Sequence, residues 1–284
     1  MIKKLLMKRL LLVLLMCLTL CAPAWGANYF LDDANCVGLW TLDVEVTPAA
    51  TYADTSGNGN TLANVFANID VNTTYYQEGI ASVVSTAATD SYLQCVDGSL
   101  SANFPGKNGT GNTTISACMW IRPTTISAVS NVLTKYQAFA GTYVSYILRF
   151  DASNNVAAYI GYGGSLNESK THTGVAVAAN QWYHIAWTYD GATRAFRIRV
   201  WDDNASSVTE TTGTYTNTMT PAQAPFQING LAAAAEAGMI GYIDEAVVFN
   251  DILTADEIDE IRLGTYGAPA ATGTSDWWWR RRHN

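Results

Sequence analysis

Trp182-Tyr183-His184-Ile185-Ala186-Trp187-Thr188-Tyr189 and Phe196-Arg197-Ile198-Arg199-Val200-Trp201 flank the turn Asp190-Gly191-Ala192-Thr193. Both runs are rich in aromatic and β-branched residues, and both alternate in polarity, the period-two signature of a half-buried strand. Asp-Gly between two such runs predicts a hairpin. Outward from it the pattern repeats. Strand-like runs cover Cys36–Leu42, Tyr92–Asp97, Thr114–Arg122, Tyr143–Phe150, Val156–Tyr162, Pro225–Ile228 and Met239–Phe249. Gly, Asn, Asp and Ser separate them, as in Asp151–Asn155. Many short strands with almost no helical periodicity predict an all-β sandwich or barrel.

One helix is signposted. Thr254-Ala255-Asp256-Glu257 has the form of a capping box, with Ile258, Ile261 and Leu263 as its apolar stripe and Gly264 as its stop. At 49% hydrophobic and 14% charged residues the chain is too apolar for a disordered protein, and it has neither the Gly period of collagen nor a coiled-coil composition.

The first 26 of the 284 residues read as an export signal: a basic start, an apolar run from Leu10 to Cys21, then Ala24-Trp25-Gly26. No later apolar stretch approaches the 18 residues of a membrane span. Beyond residue 26 the chain carries 12 basic and 24 acidic residues, a net charge of −12 that repels phosphate backbones and anionic lipid. Nucleic acid is therefore not an expected partner. The acidic surface is compatible with neutral glycans, cationic partners or bound metal ions. Cys36, Cys95 and Cys118 are spaced far apart, without paired His, so at least one thiol stays free and a zinc site is not expected. From residue 268 a linker composition leads to a Trp277–Arg282 tail, read either as a membrane-interface or partner-recognition tag or as a frayed end.

Four segments in order resemble the laminin G-like jelly roll of the concanavalin A-like lectin/glucanase superfamily. They are Gly38–Asp43 with the loop Asp54-Thr55-Ser56-Gly57-Asn58-Gly59-Asn60, Thr114–Pro123, Gln181–Gly191, and Gly241–Asn250 with Leu253–Ile258. The resemblance implies a two-sheet antiparallel jelly-roll sandwich over residues 27–267, with one short helix near its end. It also implies a structural Ca²⁺ held by Asp54, Asn58 and Asn60 from the loop and Asp244 from the last strand. Loop oxygens on Gly-permitted turns suit such a hard cation. Glu245 alternates with Asp244 and is expected on the opposite face.

Glucanases of this superfamily place closely spaced carboxylates along one strand. Here the acidic run Glu257-Ile258-Asp259-Glu260 follows a capping box and has helical spacing, and no strand carries two carboxylates two residues apart. The expectation is a non-catalytic, exported binding module for carbohydrate or a surface partner. An adhesive or structural component of an envelope, appendage or virion, and a glycan-active hydrolase or lyase, are the alternatives. Exposed aromatics beside loops are the candidate sugar platforms: Tyr136, Tyr143, Tyr162 and Trp201.

Overall fold

The computed structural model describes residues 28–44, 50–87, 89, 91–126, 129–137, 143–230 and 238–267. The export signal and the Trp/Arg tail lie outside the described residues. In chain order the strands are β1 (Cys36–Trp40), β2 (Thr51–Tyr52), β3 (Leu62–Asn64), β4 (Ile69–Asn72), β5 (Ser82–Ser85), β6 (Leu93–Cys95), β7 (Ile115–Thr125) and β8 (Ser130–Gln137). They continue as β9 (Tyr143–Phe150), β10 (Asn155–Tyr162), β11 (Ser165–Ala176), β12 (Tyr183–Tyr189), β13 (Ala195–Asp202), β14 (Ser207–Thr214), β15 (Phe226–Ile228) and β16 (Ile240–Phe249), followed by the helix α1 (Ala255–Arg262).

Two antiparallel sheets result. The first runs β14-β13-β12-β7-β16-β5-β4, with β1 also paired to β16; the second runs β11-β10-β9-β8-β15-β6-β3-β2. The expected jelly-roll sandwich is therefore present. The core lies between the sheets, where Trp40, Tyr146, Trp187 and Phe226 are fully buried and Trp40 stacks on Phe226 at 5.2 Å. Aromatic payloads of this size supply most of the apolar burial that holds a sandwich together. Among the described residues no helix is long and apolar enough to cross a membrane.

The hairpin forms, β12 pairing β13 from Tyr183↔Asp202 to Tyr189↔Phe196. Its turn is built differently from a two-residue Asp-Gly turn. Arg194, not Gly191, holds the left-handed conformation at φ 65°, and Asp190 takes Ala192 N and Thr193 Oγ1 on its carboxylate. Gly191 is needed for space, since a Cβ there would sit 1.9 Å from Thr113 Oγ1.

The helix also forms as read, Thr254 and Glu257 capping each other. It packs on the outer face of the first sheet. Ile258 and Ile261 cluster there with Cys36, Leu39, Cys118, Val247 and Phe249, residues that alternate with the core-facing Val37, Met119 and Val248. Leu263 departs from the predicted stripe: α1 ends at Arg262, and Leu263 caps it 55% exposed. Cys36, Cys95 and Cys118 are buried free thiols, and burial pushes Cys36 up to about 12 and Cys95 up to about 11.

Candidate functional site

Three regions hold the residues singled out by the sequence. In the first, the loop between β2 and β3, Asp54 acts as a clamp. Its Oδ1 accepts Leu39 N at 3.0 Å and Ser56 N at 2.9 Å, and its Oδ2 accepts Asn60 N at 2.8 Å. Asn58 donates to Cys36 O at 2.9 Å. Asn60 is fully buried, donates to Val37 O and accepts Ser101 N. These groups face backbone donors and acceptors of their own neighbourhood, so the loop does not offer the inward-turned oxygens that calcium requires.

Asp244 is not with them. Its Oδ2 accepts Gln77 N at 2.7 Å and Glu78 N at 3.1 Å, and its Oδ1 accepts Glu245 N at 3.1 Å. The four expected calcium ligands thus divide between two places. Among the described residues no group of three or more acidic, His or Cys side chains is placed to hold a metal ion. Asp54, Asn58 and Asn60 on one side and Asp244 on the other do not converge on one site.

The second region surrounds Asp244, on the outer face of the first sheet. Sequence alternation placed Glu245 on the opposite face, and the structure corrects this. Between Asp244↔Trp120 and Val247↔Cys118 the last strand has one residue more than its partner, a β-bulge, and Glu245 sits there at φ 47°. A non-glycine residue in that conformation is strained. The bulge brings Glu245 into the same electrostatic neighbourhood as Asp244, Glu78 and Asp43. Burial, reinforced by those three carboxylates, pushes Glu245 up to about 10. Glu78 is pushed up to about 7 by burial and then by Asp43, and Asp244 to about 7 chiefly by burial.

The third region is one end of the second sheet. Tyr136 pairs with Val144, Gln137 pairs with Tyr143, and Ile160↔Tyr146 sets Tyr162 level with Val144. Tyr136 and Tyr162, both level with Val144, therefore share one face at this end of the sheet, and Tyr143, one residue along β9, points to the other face. Tyr143 is 41% and Tyr162 50% exposed, and Tyr136 is half-buried. Trp201 is elsewhere, on the first sheet. The Arg262 guanidinium lies 3.9 Å from its ring centroid, and its indole N–H donates to Asp203 at 3.3 Å.

The acidic run of α1 is structural. Glu257 Oε2 accepts Thr254 N at 2.7 Å, and Asp259 is paired with Arg199. His184 is buried against the Trp120 ring and pushed down to about 3, chiefly by burial. Burial likewise lowers His172, which sits between Thr209 and Thr211.

A model of the concanavalin A-like lectin/glucanase superfamily matches residues 88–259, more than half of the chain. The chain belongs to this superfamily. A search of curated proteins finds no match. Among solved structures, this superfamily member is similar to the binding domain of Paraclostridial Mosquitocidal Protein 1. The identity is 12% and the TM-score 0.57, over 82% of this chain and 52% of that one. It is also similar to domain 4 of AbnA, a GH43 extracellular arabinanase from Geobacillus stearothermophilus, in complex with arabinotriose. There the identity is 16% and the TM-score 0.52, over 80% of this chain and 98% of that one. Trypanosoma rangeli sialidase in complex with sialic acid matches at 13% identity and TM-score 0.52, over 81% of this chain and 33% of that one. The chain thus spans about half of the toxin domain and a third of the sialidase. At these identities the likeness shows the fold alone.

Proposed function

We propose that this superfamily member is an exported, non-catalytic module that binds carbohydrate at the tyrosine-lined end of the second sheet. The observation that carries the reading is the placement of Tyr136 and Tyr162 on one face at the same end of β8 and β10, with Tyr143 of β9 at that end on the other face. Flat rings match the apolar faces of sugar units, and phenol hydroxyls exchange hydrogen bonds with sugar hydroxyls. Domain 4 of AbnA, nearly all of which this chain covers, is in complex with arabinotriose, which supports a glycan as the ligand class. The non-catalytic part of the reading is supported by Glu257 and Asp259, which serve the helix, and by two buried histidines held neutral. The reading does not depend on calcium: Asp54 holds the backbone of its own loop, and Asn58 and Asn60 donate to Cys36 O and Val37 O of β1.

The test is a glycan and polysaccharide array probed with the full chain, in Ca²⁺ and in chelator, beside a Tyr136→Ala/Tyr162→Ala variant. Saturable binding to one glycan class is expected, weakened at least tenfold in the variant, with no release of reducing ends from the bound glycan. Binding to no glycan, or binding equal in both proteins, overturns the reading; release of reducing ends overturns its non-catalytic part.

A further inference from the structure

A cavity of about 870 Å³ opens on the outer face of the first sheet, beside the last turn of α1. Its walls carry four carboxylates, Asp43, Glu78, Asp203 and Glu245, together with the Trp120 ring and Arg262. None of the four carboxylates is in an ion pair among the described residues; Arg262 instead pairs with Asp259 and stacks on Trp201. The body's other paired cations are engaged elsewhere, Lys135 with Asp97, Lys170 with Glu168, and Arg197 and Arg199 with Glu210.

Two groups stand out. Glu245 is 8% exposed, and its carboxylate makes no hydrogen bond within the described residues. Trp120 is 4% exposed, and its indole N–H is buried without an acceptor. Burying an acid without a partner at a cavity wall is costly, and the cost is relieved by a ligand that brings a positive charge and hydrogen-bond donors.

The same face shows what kind of cation it accommodates. Arg122 lies 4.1 Å from the Tyr75 ring centroid and 5.4 Å from that of Tyr242, and Arg262 lies over Trp201. Guanidinium groups stack on aromatic rings and pair with carboxylates at once, which a compact hydrated ion does not. The volume is also that of a ligand pocket rather than of a single ion, since such pockets hold roughly 300–1,000 Å³.

We propose that this cavity binds guanidinium groups, taking the arginine side chains of a basic aromatic segment, and that Trp277–Arg282 of this chain is such a segment. Three Trp and three Arg match an acidic cavity with an indole wall. Residues 27–267 carry 23 acidic and 9 basic side chains, so the body attracts that segment as a whole. The described chain also leaves at the cavity's rim. Asn28, which lines the cavity, accepts Tyr266 N, and Gly264 is part of the wall. Trp277 is ten residues past Gly267, a span of up to ~33–36 Å when extended, so the segment of the same or a neighbouring copy reaches the cavity.

The experiment titrates a labelled peptide, Asp276–Asn284, against the full chain with Arg280→Gln, Arg281→Gln and Arg282→Gln, followed by fluorescence anisotropy. Saturable, salt-sensitive binding is expected, falling at least tenfold when Glu78→Gln and Glu245→Gln are added to the receptor. A peptide with its three arginines replaced by glutamine is expected not to bind. Thermal melting at pH 8 checks the receptor variant, which is expected to melt no lower than its parent because carboxylate repulsion is removed. No peptide binding, or binding indifferent to Glu78 and Glu245, overturns the proposal. A calorimetric titration in which Ca²⁺ binds one to one through Glu78 and Glu245 and the peptide does not bind also overturns it, and makes the cavity a metal site.

Discussion

Asp54 and Glu245 are both acidic residues held close to β1, and their surroundings are opposite. Asp54 receives three backbone N–H groups, from Leu39, Ser56 and Asn60. Glu245 receives none, sits on a bulge at φ 47°, and shares its cavity with Asp43 and Glu78. The loop reads as a cation site in sequence, and in space its carboxylate gathers three backbone N–H groups. The cavity is not signalled by any single stretch of sequence, and it is where Glu245 is left without a donor or a cation. Acidity along the chain says nothing about which of these outcomes a carboxylate meets; the donors aimed at it decide.

This contrast makes the two carboxylates respond oppositely to substitution. Asp54→Ala strips acceptors from three backbone donors and is expected to destabilise the fold by about 3 kcal/mol, read as a lower urea midpoint. A change below about 0.5 kcal/mol would mean that the clamp is not what holds the loop. Glu245→Gln is expected to do the reverse, stabilising by about 1–2 kcal/mol at pH 8 and by nothing at pH 4. The sign follows from the shift. Glu245, pushed up to about 10 from its ordinary 4.5, contributes stability that is full below about pH 4.5 and is lost as pH rises toward 10. Glu78 and Asp244, at about 7, make the parent's decline steeper between their ordinary range and pH 7. Equal urea midpoints for parent and variant at pH 8 would show that Glu245 is not the strained member of the pair. Thr254→Ala, on a helix whose acids are satisfied as Asp54 is, is expected to cost about 1 kcal/mol and to leave both pH profiles unchanged.

Several elements were legible because their signals are local. The β12–β13 hairpin follows from two alternating runs around a turn, and the α1 start from Thr254 and Glu257 three residues apart. The edge strands β11 and β14 were not expected. β14 reads Ser-Val-Thr-Glu-Thr-Thr-Gly-Thr and is mostly exposed, so it lacks the apolar alternation that marks a half-buried strand. β8 escaped for another reason. It carries Lys135 at a fully buried position, where its ammonium is held by Asp97 Oδ1, Ala222 O and Ala224 O, and no local pattern announces a buried lysine. In the candidate site, Tyr136, Tyr143 and Tyr162 were each readable as aromatics beside loops. Their gathering at one end of the second sheet, Tyr136 and Tyr162 on one face and Tyr143 on the other, depends on the register of three strands. Glu245 was misread because alternation assumes an unbroken ladder, and one extra residue in β16 turns the side chain over.

By itself the sequence determined the strand-rich class, the hairpin, the capped helix and the strongly acidic body, because periodicity, turn chemistry, capping and charge are written within a few residues or summed over all of them. Only the tertiary structure decided where the acids act. Asp43, Glu78, Asp203 and Glu245 lie far apart in the chain and become neighbours through strand order and a bulge. Burial and the field of neighbouring charges then set whether each carboxylate clamps a loop or awaits a cation, and both depend on distances that no local stretch of sequence encodes.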